Sequence, residues 1–324
     1  MQDRIDYKAH IKRFHSLIAL ILMILVFGLC SDGFLTWSNC RTVLMQISVN
    51  ACLSVGMTLV ILTGGIDLSV GSILALSGAI MAGLLKSGLE LEPLNLYVGF
   101  TVLGAAGGGI LLGAGLGLFN GIMITRFRVP PFVATLAMLT IARGATKLYT
   151  GGEAITGLGD GFVEIGFGTL WGLPNQAWIA ALIVGAAHVL LKKTRLGRYV
   201  YAVGGNEEAA RLSGVNVKRV KLMVYTLAGA LSAVGGLIVT SKLNSATPVA
   251  GEGYELDSIA AVVIGGTSLS GGRGSVLGTV LGALIIGVLN SGLVIMGVDP
   301  FWQKVIKGFV ILLAVIIDRL NANE

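Results

Sequence analysis

Residues 192–221 read KKTRLGRYVYAVGGNEEAARLSGVNVKRVK, the one long polar stretch set between apolar runs, and they hold 8 of the chain's 23 lysines and arginines. At the centre, Gly204-Gly205-Asn206 leads into Glu207-Glu208-Ala209-Ala210-Arg211-Leu212-Ser213, and Gly214 comes next. This order predicts a short helix with both ends marked. Asn206 can accept from the first free backbone N–H groups, and two glutamates sit where the helix dipole favours negative charge. Gly214 can take the left-handed conformation that stops the helix. So short a helix is not stable alone and must rest on another surface.

Outward from this stretch the chain is greasy. Of 324 residues, 54% are hydrophobic and 12% charged, about half the charged share of an ordinary soluble domain. Lipid is the natural surrounding for such a sequence. The net charge of +6 does not point to nucleic acid, because the basic residues fall in separate short loops, as a topology signal would. The 48 glycines predict closely packed membrane helices. Cys30, Cys40 and Cys52 have no metal or disulfide spacing and read as small packing residues.

A span needs about 20 residues to cross roughly 30 Å of hydrocarbon. The expected fold is an all-α polytopic membrane protein with about ten spans, some broken or re-entrant: 14–30, 42–62, 68–86, 96–125, 131–149, 176–191, 220–241, 256–271, 275–297 and 301–318. Residues 1–13, with Arg4, Lys8, Lys12 and Arg13, then form a retained cytoplasmic tail. Arg126, Arg128, the 192–221 loop, Arg273 and Arg319 fall at inner ends. The outer segments 150–175 and 243–255 carry acids and no Lys or Arg, and Trp37, Trp171, Trp178 and Trp302 fall near the outer face. An even span count puts both termini inside.

Gly109, Gly113, Gly117 and Gly121 recur at four-residue spacing, a flat stripe for close helix packing. An internal repeat is also present: residues 60–71, VILTGGIDLSVG, resemble 262–272, VVIGGTSLSGG. In both, paired glycines break one helix and a capping residue, Asp67 or Ser268, starts the next. Gly-interrupted helices in corresponding halves often mark the transport site of a carrier. Because Asp67 is matched by an uncharged serine, capping is the preferred reading of it.

No phosphate-binding G-x-x-x-x-G-K-[ST] occurs. His10, His15 and His188 lack metal spacing, and no nucleophile, base and orienting acid fall together. The chain does not read as an enzyme. Polar groups in lipid are functional candidates by default, and Asn50, Asn120 and Asn290 can each hydrogen-bond a hydroxylated substrate. Asp67 and Ser69 join them as candidates for a substrate pathway. Interhelical hydrogen bonds are the plain alternative for each. Arg143 has no acid in its own span and either snorkels or pairs across helices.

Glu208-Ala209-Ala210, with Gly214 after three further residues, resembles the E-A-A-x-x-x-G signature of bacterial ABC importer permeases. TLVILTGGIDLSVGS (58–72), TRLGRYVYAVGGNEEAARLSGVNV (194–217) and GYELDSIAAVVIGGTSLSGGRGSVLGT (253–279) narrow the resemblance to the ribose-type sugar permeases, over about residues 16–319. The I-x-L-P ending of the wider signature is absent. The resemblance implies a transmembrane permease domain over 14–320, similar in fold to the vitamin B12 importer, in the bacterial inner membrane. It further implies a second copy of the permease, a cytoplasmic ABC ATPase that holds ATP and Mg, and a periplasmic sugar-binding protein; no cofactor is bound by this chain. Asn206–Gly214 would be the coupling helix. There Glu207, Glu208 and Arg211 would contact the ATPase by charge, and Ala209, Ala210 and Leu212 would fill its groove. The cargo implied is a monosaccharide, ribose first, with another pentose, a hexose or a furanose signal as the near alternative and an ion-coupled secondary transporter as the rival. That fold implies inverted halves, whereas the repeat joins loops six spans apart that face the same way.

Overall fold

The computed structural model describes residues 7–91 and 96–322, and these residues form a helical bundle. In chain order the helices are α1 (Tyr7–Cys30), α2 (Trp37–Leu62), α3 (Val70–Lys86), α4 (Val102–Thr125), α5 (Pro131–Thr150), α6 (Asp160–Phe167), α7 (Asn175–Lys193), α8 (Arg195–Gly205), α9 (Glu207–Leu212), α10 (Val217–Leu243), α11 (Tyr254–Ile264), α12 (Val276–Ile295) and α13 (Pro300–Ala322). Three small antiparallel pairs join them: β1 (Leu89–Leu91) with β2 (Leu96–Val98), β3 (Ile155–Thr156) with β6 (Ser245–Ala246), and β4 (Thr169–Leu170) with β5 (Leu173–Pro174).

Among the described residues five helices, α2, α4, α7, α10 and α12, are long and apolar enough to cross a membrane. They are used differently. α2 is buried for most of its length, while α4 and α7 expose most of theirs, as lipid-facing helices do. α10 packs on α2, α3 and α4. The glycine stripe of α4 makes that approach possible. A side chain on Gly117 would collide with the Tyr225 carbonyl, one on Gly113 would press on Ala233 and the Gly229 carbonyl, and Gly121 lies against Leu222. Gly109 instead receives Met81 of α3. The stripe is a packing surface.

α1 covers Tyr7–Cys30, so residues 7–13 of the expected tail are helical, because a helix once nucleated in an apolar run extends at little cost into the polar residues beside it. A correction concerns the span expected over 256–271. α11 has 11 residues and is therefore about 16 Å long, half of what a crossing needs. Gly265, Gly266 and the irregular segment up to Ser275 end it. On its other side the chain dips back into the bundle, so that Gly251 lies against Gly71 and Leu74 of α3. Arg143 of α5 holds this dip. Its Nη1 donates to the carbonyls of Pro248 and Ala250 at 2.9 and 2.7 Å. Irregular backbone at such depth persists where protein groups satisfy it, and the arginine does so.

The repeat is real geometry. Gly64 and Gly266 both have positive φ (76° and 84°). After α2, Gly65 N–H donates to Val60 O; after α11, Thr267 N–H donates to Val262 O, so both helices end in the same left-handed motif. Asp67 and Ser268, however, do not cap the next helix as expected. Asp67 Oδ1 accepts from Ser69 N–H and Ser268 Oγ from Ser270 N–H, two residues on in each case. Both are turn formers; Ser275 caps α12 by accepting from Gly278 N–H, while Ser69 holds the N-cap position of α3 without a side-chain capping bond. The two turns lie at the same end of the bundle, where Gly272 N–H donates to Leu62 O at 3.0 Å. Of the cysteines, Cys52 is buried as expected of a packing residue, whereas Cys30 and Cys40 are exposed.

Candidate functional site

Three places bring the candidate residues together. The first is α9. Asn206 Oδ1 accepts from Ala209 N–H at 2.9 Å, capping the start. At the other end Gly214, at φ +85°, lets Val215 N–H reach Ala210 O at 3.0 Å. The charges are braced within the chain: Arg211 grips Glu208 through two hydrogen bonds of 3.0 and 2.6 Å, and Lys221 reaches Glu207 at 2.7 Å. The Arg211 grip holds the Glu208 carboxyl below its ordinary range. Ala210 departs from expectation. It is buried in the chain's own core with Val203, Val217 and Val220, so it cannot fill a groove elsewhere. What α9 offers outward is Glu207, Glu208, Ala209, Arg211 and Leu212, the last 74% exposed. Leu212 is thus a single exposed apolar side chain framed by charges.

The second place is a cavity of about 290 Å³ in the half of the bundle away from α9, between α2, α10, α11, α12 and α13. Asn50 and Asn290 both line it, with Gln46, Tyr254, Gln303 and Lys242 among its polar neighbours. Across it Lys307 Nζ meets Asp257 Oδ2 at 3.1 Å. Asn50 is buried and its amide makes no hydrogen bond among the described residues; Gln46 Oε1 and Asn290 Oδ1 are buried without partners.

The third place gathers the remaining candidates. Asn120 Nδ2 donates to Ser69 Oγ at 3.0 Å, and Ser69 Oγ to Asp67 Oδ1 at 2.5 Å. All three are fully buried and do not reach the cavity. They tie the turn after α2 to α4, the interhelical hydrogen bond that was their plain alternative.

With this geometry described, sequence comparison supplies the assignment. Residues 39–315 match the family described as branched-chain amino acid transport system / permease component. The chain belongs to that family. It is a permease component.

Among the permease's relatives, the ribose import permease protein RbsC of Bacillus subtilis (strain 168) is 49% identical, over 98% of this chain and 96% of that protein. That of Escherichia coli (strain K12) is 47% identical over 96% and 95%. The D-allose transport system permease protein AlsC of the same strain is 36% identical over 95% and 92%. No solved structure matches.

The permease has one feature that sequence reasoning missed. α8, expected to be part of a loop, ends at a junction of three backbones. A side chain on Gly204 would collide with the Leu62 carbonyl of α2 and press on Gly272 N. Beside it Tyr201 Oη donates to Gly274 O at 2.9 Å. The segment carrying α9 is thus seated directly on the end of α2 and on the segment between α11 and α12. The signal was the doubled glycine at 204–205, which reads as helix punctuation when only the chain order is considered.

Proposed function

We propose that this permease is the membrane subunit of an ATP-driven importer for D-ribose in the bacterial inner membrane. The observation that carries the cargo is its 47–49% identity, over nearly the whole length, to proteins named ribose import permeases. Relatives named for allose and fructose stand at 36% and 38%. In this reading a second copy completes the pathway, a periplasmic protein delivers the sugar, and a cytoplasmic ATPase holds ATP and Mg and docks on α9.

The bundle is read as ten crossings: α1, α2, α3, α4, α5, α7, α10, α11 with its re-entrant approach, α12 and α13, of the vitamin B12 importer type. Both termini then lie in the cytoplasm. Two features support the sidedness. Arg126, Arg128 and Arg273 lie near the α9 end, and Trp37, Trp178 and Trp302 stand in the first turns of helices that begin at the other. Asn50 and Asn290 belong to the substrate pathway. Asp67, Ser69 and Asn120 brace the helices that move.

Transport is alternating access: nucleotide binding shifts the docked α9, and the junction at Gly204 passes the shift to α2 and to the turn before α12. The test is uptake of labelled D-ribose by a bacterial strain that lacks its own ribose permease and is given this one. Uptake outcompeted by unlabelled D-ribose but not by D-allose or D-fructose is expected. Equal competition by all three would overturn the choice of sugar.

A further inference from the structure

We propose that the cavity between α2, α10, α11, α12 and α13 is a binding station for a neutral, polyhydroxylated molecule of monosaccharide size. It rests on the import reading above for its cargo, but its own argument is chemical. The volume of about 290 Å³ lies at the small end of the range for small-molecule sites, about 300–1,000 Å³. That size suits a single sugar ring.

The lining selects further. Val49, Val239 and Val294 supply apolar wall, and four amides stand among them, Gln46, Asn50, Asn290 and Gln303, the last already donating to the Val298 carbonyl at 2.8 Å. Asn50 is only 6% exposed and makes no hydrogen bond among the described residues; Gln46 Oε1 and Asn290 Oδ1 are buried and unpaired. Unpaired polar groups this deep in a membrane bundle are costly, and those that face a cavity are functional candidates by default. An amide presents one acceptor and two donors, and a sugar hydroxyl both gives and takes a hydrogen bond. The two match without any change in charge.

Charged ligands fit worse. The acid in the cavity, Asp257, is already bonded to Lys307, and a bound ion would compete with that contact in a poorly solvated place. Lys242, part-exposed in the last turn of α10, lies at the outer end, where an ammonium can reach the interface. The break in the chain ahead of α11 puts that helix's first turn, with Tyr254 and Asp257, in the wall. Carriers place interrupted helices at the substrate in this way.

The test uses the full chain alone in lipid nanodiscs, with neither ATPase nor binding protein, titrated with labelled D-ribose. Saturable binding is expected, weakened about tenfold by Asn50→Leu or by Asn290→Leu, the loss of one good hydrogen-bonding group. D-ribose 5-phosphate should compete more weakly than D-ribose. A second measurement does not depend on those variants folding. In a background with Cys30, Cys40 and Cys52 changed to serine, Gln46→Cys should react with a small thiol reagent and be protected by D-ribose in step with its binding. Absent binding and protection in the wild-type lining, binding unchanged by both leucine variants, or tighter binding of the phosphate each overturns the station. If the assembled importer still takes up D-ribose under ATP, import stands while the station falls. If nothing is imported yet the chain alone binds D-ribose at these residues, the reverse holds.

Discussion

Single residues at two places hold backbone that would otherwise be unsatisfied or strained. Arg143 is the larger case. With its guanidinium gone, the carbonyls of Pro248 and Ala250 lose donors at 2.9 and 2.7 Å, and each bond to a charged group contributes about 1.5–3 kcal/mol. Arg143→Leu is therefore expected to lower the thermal aggregation temperature of the detergent-solubilised protein by several degrees, and Arg143→Lys by less. An unchanged temperature in both would mean that the dip ahead of α11 is held by other contacts. On α9, Asn206→Ala removes a cap that contributes about 1 kcal/mol, and Gly214→Ala places a side chain at φ +85°, a strain of about 1–3 kcal/mol. Both variants should insert normally and show faster amide exchange confined to residues 206–215, with ATP-driven uptake reduced. The brace between Glu208 and Arg211 works in the same direction. Since the Glu208 carboxyl is held below its ordinary range, the pair supports α9 above that range and is lost as pH falls through the lowered value.

At the scale of elements, helix contacts are set by which glycines have neighbours. Gly117 and Gly229 face each other across the α4–α10 contact, where an added side chain meets backbone, while Gly107 on the same α4 meets nothing within 4 Å. Gly117→Leu should cost at least the roughly 1–3 kcal/mol of an overpacked core and reduce folded yield; Gly107→Leu should not, as monodisperse recovery on size exclusion would register. Gly204→Ala is expected to separate two activities. By forcing α8 off Leu62 and Gly272 it should depress D-ribose uptake in the assembled importer more than it depresses ATP hydrolysis. A parallel fall in both would assign Gly204 to folding alone.

This is also where sequence legibility can be judged. α9, the glycine stripe and the Gly64/Gly266 turns are legible because each arises from local chemistry: a cap, a four-residue spacing, a repeated motif. α11 reads too long because residues 258–271 carry no charge and are apolar or small, and hydropathy does not register a left-handed glycine that ends a helix early. Asn50 and Asn290 come together on one cavity, but Asn120 and Ser69 do not reach it. Polarity within a span marks cost, not direction. Ala210 looks like a docking residue for want of its helix face, which is decided by Val203, Val217 and Val220 from neighbouring elements.

Over the whole molecule, a polar device sits at one end, a cavity lies in the other half, and α2 connects them. α2 carries Gln46 and Asn50 near its middle and ends at Leu62, under Gly204. A shift of α9, if the proposed docking holds, has one buried helix to travel along to the cavity, and the hydrogen bond between Thr58 and Thr279 (2.7 Å) joins α2 to α12 on the way. In the proposed function the energy for that motion comes from an ATPase docked on α9. Proteoliposomes containing the permease, its ATPase and its binding protein test this directly by labelled D-ribose uptake with and without ATP. Uptake that requires ATP and fails when Leu212→Glu replaces the exposed leucine of α9 is the predicted result; uptake by the permease alone under an ion gradient would contradict it.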